Sequence, residues 1–493
     1  MVAWVGRRCP RVSAATPFGY DCRPPRENHR GGRYFSPAQP PPDADSEWKR
    51  LDMQHALPTI VQTASRIASG EISPCDLVQF CLDRIRRFDE ALQAWVVVAD
   101  QSAVAEATRL ERFARRGKLL GPLHGIPIGI KDIIDVAGLP TKAGSPLRED
   151  HVASRDAPLV SRLRRAGAII LGKTVTTQFA SFDPPPTRNP WNLDHTPGGS
   201  SSGSAAAVAT QMCQVAIGTQ TGGSIVRPAS YCGIAGLKPS YGTIDCMGVV
   251  PVSRTLDHPG PMARRVSDLA LLFQILNQRA DRTVNHRQLA QTPRLQKVET
   301  FFLEEADDDV VAALQPAFAR LAPAIMGKRP FALPATFQEL HLMHRRIMAA
   351  EAAQVHRTDF ELAADRFAPC VSELIQEGLA MRAVDYAAAM EHRFQFQQSM
   401  RQRLDPGTVL IMPATNTAAP RGLETTGDPS FQSPWSYAGL PVVSLPAGRN
   451  ADGMPCSIQF VGAAGRDELV LAAAAWSERV LDLGWDPPEP GAS

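Results

Sequence analysis

The chain has 493 residues, enough for one large domain or several ordinary ones, and 44% of them are hydrophobic and 21% charged. The 52 basic and 50 acidic side chains leave a net charge of +2. A protein that neutralises many phosphates has a much larger basic excess, so we expect no nucleic-acid partner. No apolar run reaches the roughly 18 residues of a membrane span, and we expect no membrane contact.

The nine cysteines are spread along the chain without a CxxC pair, and their number is odd. This pattern is typical of reduced thiols in a cytoplasmic protein and disfavours a disulfide framework or a zinc site.

The first fifty residues are rich in arginine and proline and contain little that could form a core. We expect a disordered extension at 1–50, one large domain at 51–485 and a short tail at 486–493. A transit peptide is the functional alternative for the extension, and a natural start at Met53 would remove the question.

The regular pattern begins near Leu51. Helices are predicted at Ile60–Ile67, from Pro74 to Phe88 with Ser73 as N-cap, and at Ser102–Arg116. A strand is predicted at Gly125–Asp132, where isoleucine alternates with small or polar residues.

Helical and strand-like segments then alternate, and we find no internal repeat. The predicted segments are helices at Pro158–Ala166, Val175–Ala180 and Ser204–Thr210, a mainly helical stretch at 307–404, and strands at Ala168–Leu171, Thr408–Pro413 and Pro441–Leu445. This alternation indicates an α/β architecture in a single domain.

Two short motifs match familiar patterns in the wrong context. Residues 167–174 fit the phosphate-binding GxxxxGK[ST] pattern, but their Ala-Ile-Ile-Leu core is itself a strand and no strand precedes Gly167. Residues 199–203 fit GxSxG with Ser201 as nucleophile, yet the segment before them is irregular where a hydrophobic strand is needed. We reject both interpretations.

A longer pattern carries the functional prediction. The segments PGGSSSGSAAA (197–207), GTQTGGSIVRPA (218–229) and CGIAGLKPS (232–240) resemble the signature of the amidase signature family. PLHGIPIGIKD (122–132) resembles its lysine-bearing strand, and further similarity at 256–264, 434–441 and 458–462 extends the resemblance over about residues 55 to 480.

The resemblance implies a fold, a reaction and a set of site residues. It implies an α/β amidase signature fold, with a large mixed sheet flanked by helices on both faces, and no metal or organic cofactor. Ser224 would be the nucleophile, Ser200 a bridging serine joined by a cis peptide, and Lys131 the final base.

The residue chemistry is compatible with these roles. A serine hydroxyl needs a base at neutral pH, and a lysine with its reference pKa of ~10.4 is seldom uncharged there. In the predicted strand Lys131 shares a face with Pro127 and Gly129, and apolar burial would lower the pKa of the amine.

Further binding residues follow the same segment. Thr221, Gly222 and Gly223 present successive N–H groups with little side-chain bulk, as an oxyanion hole requires. Arg227 could anchor a substrate carboxylate or form a structural ion pair, and the sequence leaves both open.

Other reactive residues near the motifs are interpreted as structural, namely His124, His195, His258, Cys213, Cys232 and Cys246. The segment 300–430 is expected to set specificity, and four residues in or just after it could line a pocket or pack the core: Met343, Met348, Phe396 and Trp435.

The sequence therefore predicts an amidase that hydrolyses a small-molecule carboxamide through an acyl-Ser224 intermediate and releases ammonia or an amine. The alternatives are an amidotransferase A-type subunit that releases ammonia from glutamine for a partner, and a non-catalytic protein with the same fold. A homodimer is the expected default.

Overall fold

The computed structural model describes residues 57–277, 292–327, 330–484 and 489–490. The predicted extension at 1–50, Met53 and most of the predicted tail at 486–493 lie outside the described residues.

Ten strands in the described part of the chain form one mixed sheet in the order β1-β3-β2-β4-β6-β5-β9-β10-β8-β7. Their bounds are β1 Trp95–Val98, β2 Pro127–Lys131, β3 Ile169–Thr174, β4 Val215–Gln220, β5 Ala235–Lys238, β6 His258–Ala263, β7 Leu295–Lys297, β8 Val409–Pro413, β9 Val442–Arg449 and β10 Pro455–Val461. Strand β2 is parallel to both of its neighbours, β3 and β4, and β7 is parallel to β8, whereas the other pairs are antiparallel.

Thirteen α-helices accompany the sheet within the described ranges. They are α1 Ile60–Ala68, α2 Pro74–Leu92, α3 Asp100–Ala114, α4 Pro158–Arg165, α5 Ser202–Ala209, α6 Val226–Tyr231, α7 Val266–Leu276, α8 Asp308–Leu321, α9 Leu340–Ala363, α10 Pro369–Ala380, α11 Ala383–Arg403, α12 Ser433–Ala438 and α13 Asp467–Leu481. The predicted start of α2 is confirmed, because the Ser73 hydroxyl accepts from the N–H groups of Cys75 and Asp76.

The middle of the sheet is covered on both faces. Every residue of β2, β3, β4, β5 and β6 is buried, although successive side chains of a strand point to opposite sides. Helices must therefore lie over both faces, as in other sheets with parallel strands. The predicted α/β class with a large mixed sheet is confirmed.

One predicted helix is wrong. Residues 175–177 are not helical, and only a short 3₁₀ turn forms at Gln178–Ala180, with Phe179 at φ 48° and Ala180 at φ 56°. Long-range bonds replace the helical ones, since the N–H of Phe179 donates to the Ala143 carbonyl at 2.8 Å. The Gln178 amide donates to Ser145 Oγ. Tertiary contacts thus override the local pattern.

Within the described residues, no helix combines the length and the apolar character needed to cross a membrane.

Candidate active site

Lys131 is the last residue of the buried central strand β2, and its side chain is fully buried. Its Nζ atom lies 2.7 Å from Ser200 Oγ and 2.9 Å from Thr219 Oγ1. The parallel partner β4 supplies Thr219, and the segment leading into α5 supplies Ser200. The sheet and the helix that follows it therefore bring an amine and two hydroxyls together away from water.

Burial lowers the pKa of the Lys131 amine well below its usual value, because a charged ammonium loses its hydration there. The nearby carboxyl group of Asp257 acts in the opposite direction and is the smaller influence. Its own pKa is raised by burial to about 6. The balance favours an uncharged amine, the form that can accept a proton.

Ser200 lies in a tight segment between a glycine pair and α5. The Gly199–Ser200 peptide is cis, as the resemblance implied, and Ser200 is buried. The Ser202 hydroxyl donates to the Gly198 carbonyl at 2.6 Å. A Cβ on Gly203 would lie 2.1 Å from the Ala94 carbonyl oxygen, so only glycine fits at this position. These contacts fix the backbone on both sides of Ser200.

Ser224 lies in the loop between β4 and α6, and the side chain of Gln220 organises this loop. Its Oε1 accepts from the N–H groups of Ile225 and Val226 at 2.9 and 3.0 Å, and its Nε2 donates to Ser436 Oγ at 3.0 Å. The Ser436 hydroxyl donates in turn to the Gly222 carbonyl at 2.7 Å. One buried amide therefore fixes both ends of the turn.

The backbone N–H groups of Gly222, Gly223 and Ser224 donate to no acceptor among the described residues. A Cβ on Gly223 would lie 2.3 Å from Gln432 Oε1, so a larger residue there would displace this buried side chain. The side chain of the preceding Thr221 fixes the position of this residue, because its hydroxyl donates to Asp257 Oδ1 at 2.5 Å. Three unpaired donors beside a serine hydroxyl form the arrangement expected of an oxyanion hole.

The structure brings Ser200 and Ser224 into neighbouring segments but forms only part of the predicted hydrogen-bonded chain. The N–H of Ser201 donates to the Ser224 carbonyl at 3.3 Å. The Ser224 hydroxyl makes no hydrogen bond to any described residue, whereas the bond between Lys131 and Ser200 is present. The contact between the bridging serine and the final base is thus formed, whereas the contact between Ser224 and Ser200 is not formed in this structure.

Ser224 borders a cavity of about 280 Å³. Residues 221–224 and Arg227 form one side of it, and α9 contributes His341, His344, Arg345 and Met348. Met343, Phe396 and Trp435 are buried and do not border this cavity, so of the four residues predicted to line a pocket or pack the core only Met348 reaches it.

Arg227 is buried at the cavity wall, and burial lowers the pKa of its guanidinium. Its Nη2 donates to the Gly199 carbonyl at 2.9 Å and to Thr426 Oγ1 at 3.2 Å. Nε and Nη1 have no partner, and no carboxylate of the described residues forms an ion pair with it. The structural ion pair that the sequence left open is therefore absent within the described chain.

The rejected motifs have structural roles. Lys173 forms a fully buried ion pair with Asp132 at 2.8 Å and also donates to the Pro140 carbonyl. Ser201 Oγ donates to the Thr219 carbonyl at 3.2 Å. His124 bridges backbone groups, since its Nδ1 accepts from the Leu120 N–H and its Nε2 donates to the Leu110 carbonyl.

Four polar residues of the site were not predicted from the sequence, namely Thr219, Gln220, Asp257 and His344. Thr219 precedes the predicted Thr221 by two residues, and this strand-like spacing beside the signature could have indicated it. Asp257 lies in a segment that resembles the family, where its carboxyl group could have been considered. His344 lies in the long helix α9, where no local signal marks it.

Comparison with known proteins finds relatives that span most of the chain. The family model described as Amidase matches residues 76–471. The A-type subunit of glutamyl-tRNA(Gln) amidotransferase from Natranaerobius thermophilus is 30% identical over 88% of this chain and 97% of its own. A crystal structure of an amidase has a TM-score of 0.77 and 31% identity, covering 86% of this chain and 99% of that one. The peptide amidase of Stenotrophomonas maltophilia has a TM-score of 0.75 and 28% identity, covering 88% and 99%.

Proposed function

This chain belongs to the amidase signature family, whose members hydrolyse amides, and from that premise we propose that it cleaves small carboxamides through an acyl-enzyme on Ser224. Ser224 Oγ attacks the amide carbonyl while its proton passes to Ser200 and the proton of Ser200 passes to the uncharged amine of Lys131. The protons return to the leaving nitrogen as the carbon–nitrogen bond breaks, and water then hydrolyses the ester to give the carboxylic acid.

One observation carries this proposal: the amine of Lys131 is fully buried and lies 2.7 Å from the hydroxyl of Ser200. A buried lysine without a carboxylate partner is costly unless it is uncharged, and an uncharged amine is a base. The three free N–H groups at 222–224 supply the second requirement, since each well-placed donor is worth about 3 kcal/mol to the transition state.

The cavity supports a narrower substrate class, amides that also carry a carboxylate. Arg227 brings a buried positive charge to the wall, and its Nε and Nη1 have no partner among the described residues. A buried charge of this kind is strongly destabilising until an anion pairs with it. Nε and Nη1 are shielded from solvent in this structure, so a substrate carboxylate at this wall would form charge-assisted hydrogen bonds with them after a small rotation of the side chain.

Hydrolysis of succinamate and of its neutral analogue butyramide tests both parts of the proposal, with Ser224→Ala as the blank. We expect Arg227→Met to lower kcat/KM for succinamate by about 10- to 100-fold, the value of a hydrogen-bonded charge, and to leave butyramide little changed. Arg393→Met is the matched control, because this buried arginine also donates to carbonyl groups but does not border the cavity. Equal losses on both substrates for Arg227→Met would remove the carboxylate assignment.

A glutaminase component of an amidotransferase is the second candidate, favoured by the 30% identity to such an A-type subunit over 97% of that protein. It predicts ammonia release from glutamine only when a copurifying partner is present. Glutamine turnover at the same rate by the isolated chain, or none in either case, would contradict it. A protein that only retains the fold would not react at Ser224 with a fluorophosphonate probe.

A further inference from the structure

His344 lies on α9 at the cavity wall and faces the loop that carries Ser224. Its Nε2 lies 3.2 Å from the Thr221 carbonyl oxygen. Its Cε1 lies 3.7 Å from the place where a Cβ on Gly222 would be. The imidazole is therefore next to the free N–H groups that we assign to the substrate carbonyl.

The partner of Nε2 fixes the tautomer of this histidine. A carbonyl oxygen can only accept a hydrogen bond, so Nε2 carries the hydrogen and Nδ1 bears a lone pair. Burial lowers the pKa of His344 to about 4, which keeps the ring neutral at pH 7. Nδ1 is thus a hydrogen-bond acceptor.

Nδ1 has no partner among the described residues, and it is not one of the buried side-chain atoms that are sealed from solvent. Since His344 borders the cavity, this acceptor is open to a ligand there. A ligand donor that reaches it would fill the one unused hydrogen-bonding position of the ring.

The amide group has a donor in the required place. The oxygen and the nitrogen of an amide are bonded to the same carbon. A substrate whose carbonyl oxygen accepts from the N–H groups of residues 222–224 therefore places its amide nitrogen close to these groups and to the neighbouring imidazole. We propose that His344 Nδ1 accepts an N–H of the scissile amide and that this contact selects amides over the corresponding esters. The proposal rests on the amide hydrolysis proposed above. An ester would leave the buried acceptor unpaired, and sites built to bond an N–H discriminate strongly against analogues that lack it.

The substitution His344→Phe separates this role from a structural one through the ratio of amide to ester hydrolysis. It removes both ring nitrogens, and loss of the bond to the Thr221 carbonyl would affect both substrates alike, whereas loss of the acceptor at Nδ1 affects only the amide. The probes are succinamate and monomethyl succinate, which differ in the scissile group. We expect the ratio of kcat/KM for the amide to kcat/KM for the ester to fall about 10-fold. His344→Gln, whose amide offers both a donor and an acceptor, should restore part of that ratio. His356→Phe makes the same change as His344→Phe at another buried histidine of α9 that does not border the cavity, and it should preserve the ratio.

Equal losses on amide and ester would overturn the role of His344 while leaving the proposed function intact. If the wild-type chain cleaved neither compound, the proposed function would fail and this role with it. Should His344→Phe not fold, calorimetric titration of the Ser224→Ala variant with the two probes decides the matter. Tighter binding of the amide, by about 10-fold, supports the contact, and equal affinity contradicts it.

Discussion

The buried amine of Lys131 is the group whose protonation state controls the proposed chemistry. Because burial lowers its pKa, the uncharged fraction grows as the pH rises through a value well below the usual one for lysine. We expect kcat/KM to rise with pH over the same range, because only the uncharged amine can accept the proton. Lys131→Met should reduce kcat by at least about 10³-fold, within the range for loss of a general base.

The same residue links stability to pH. The unfolded chain binds a proton at Lys131 up to its ordinary pKa, whereas the folded chain releases it earlier, so this group makes the folded state more stable as the pH rises between the two values. Lys131→Met cannot titrate. The melting temperature of the variant minus that of the wild type should therefore be larger at pH 7 than at pH 9.5. An equal difference at the two pH values would contradict the lowered pKa.

At the residue scale the sequence could predict the groups that lie in recognisable segments. The sequence alone is enough to assign Lys131, Ser200 and the 221–224 loop to the site, although it does not reveal the contact between Lys131 and Ser200. Their catalytic roles stay predictions until variants are measured. His344 could not have been found in this way, because its position depends on where α9 meets the loop after β4.

At the element scale, the loop that carries Ser224 depends on one buried amide. Gln220→Met removes the acceptor of two buried N–H groups and the donor to Ser436. We expect the free energy of unfolding to fall by about 2–4 kcal/mol, since unsatisfied buried donors cost about 1–3 kcal/mol each, and kcat to fall in the folded enzyme.

Gln459→Met is the matched control for Gln220→Met. Gln459 is also fully buried and its amide also joins two segments, by donating to the carbonyls of Pro413 and Phe431. Its loss should lower stability in urea denaturation without changing kcat at a temperature where the variant is folded. An equal loss of kcat in both variants would mean that Gln220 has no special role in holding the loop.

Most helices and the strands β2, β3, β8 and β9 could be predicted because their local patterns agree with their structure. The start of α2 at Pro74 is an example, with a capping serine and a first-turn proline. The segment from Val175 to Ala180 could not be predicted, because its backbone and the side chain of Gln178 bond to distant residues. Strands β4 to β6 were not singled out, since they contain residues that are typical of turns, such as Gly218, Gly236 and Pro259.

At the scale of the whole molecule, residues far apart in the chain meet because β2 lies between β3 and β4. The order of ten strands is not encoded in any local pattern, and only the family resemblance predicted a large mixed sheet. The single sheet supports our proposal that residues 51–485 make up one domain. The region at 300–430, expected to set specificity, contributes α9 and Asp428 to the cavity.

The most direct test of the account is the site and rate of covalent labelling at pH 7.5 by a fluorophosphonate, located by peptide mass spectrometry. The account predicts a single adduct on Ser224 in the wild-type chain and none in Ser224→Ala. It also predicts labelling slower by at least about 10²-fold in Ser200→Ala and Lys131→Met, which lose the path for the proton. An adduct on another residue, or an undiminished rate in Lys131→Met, would contradict it.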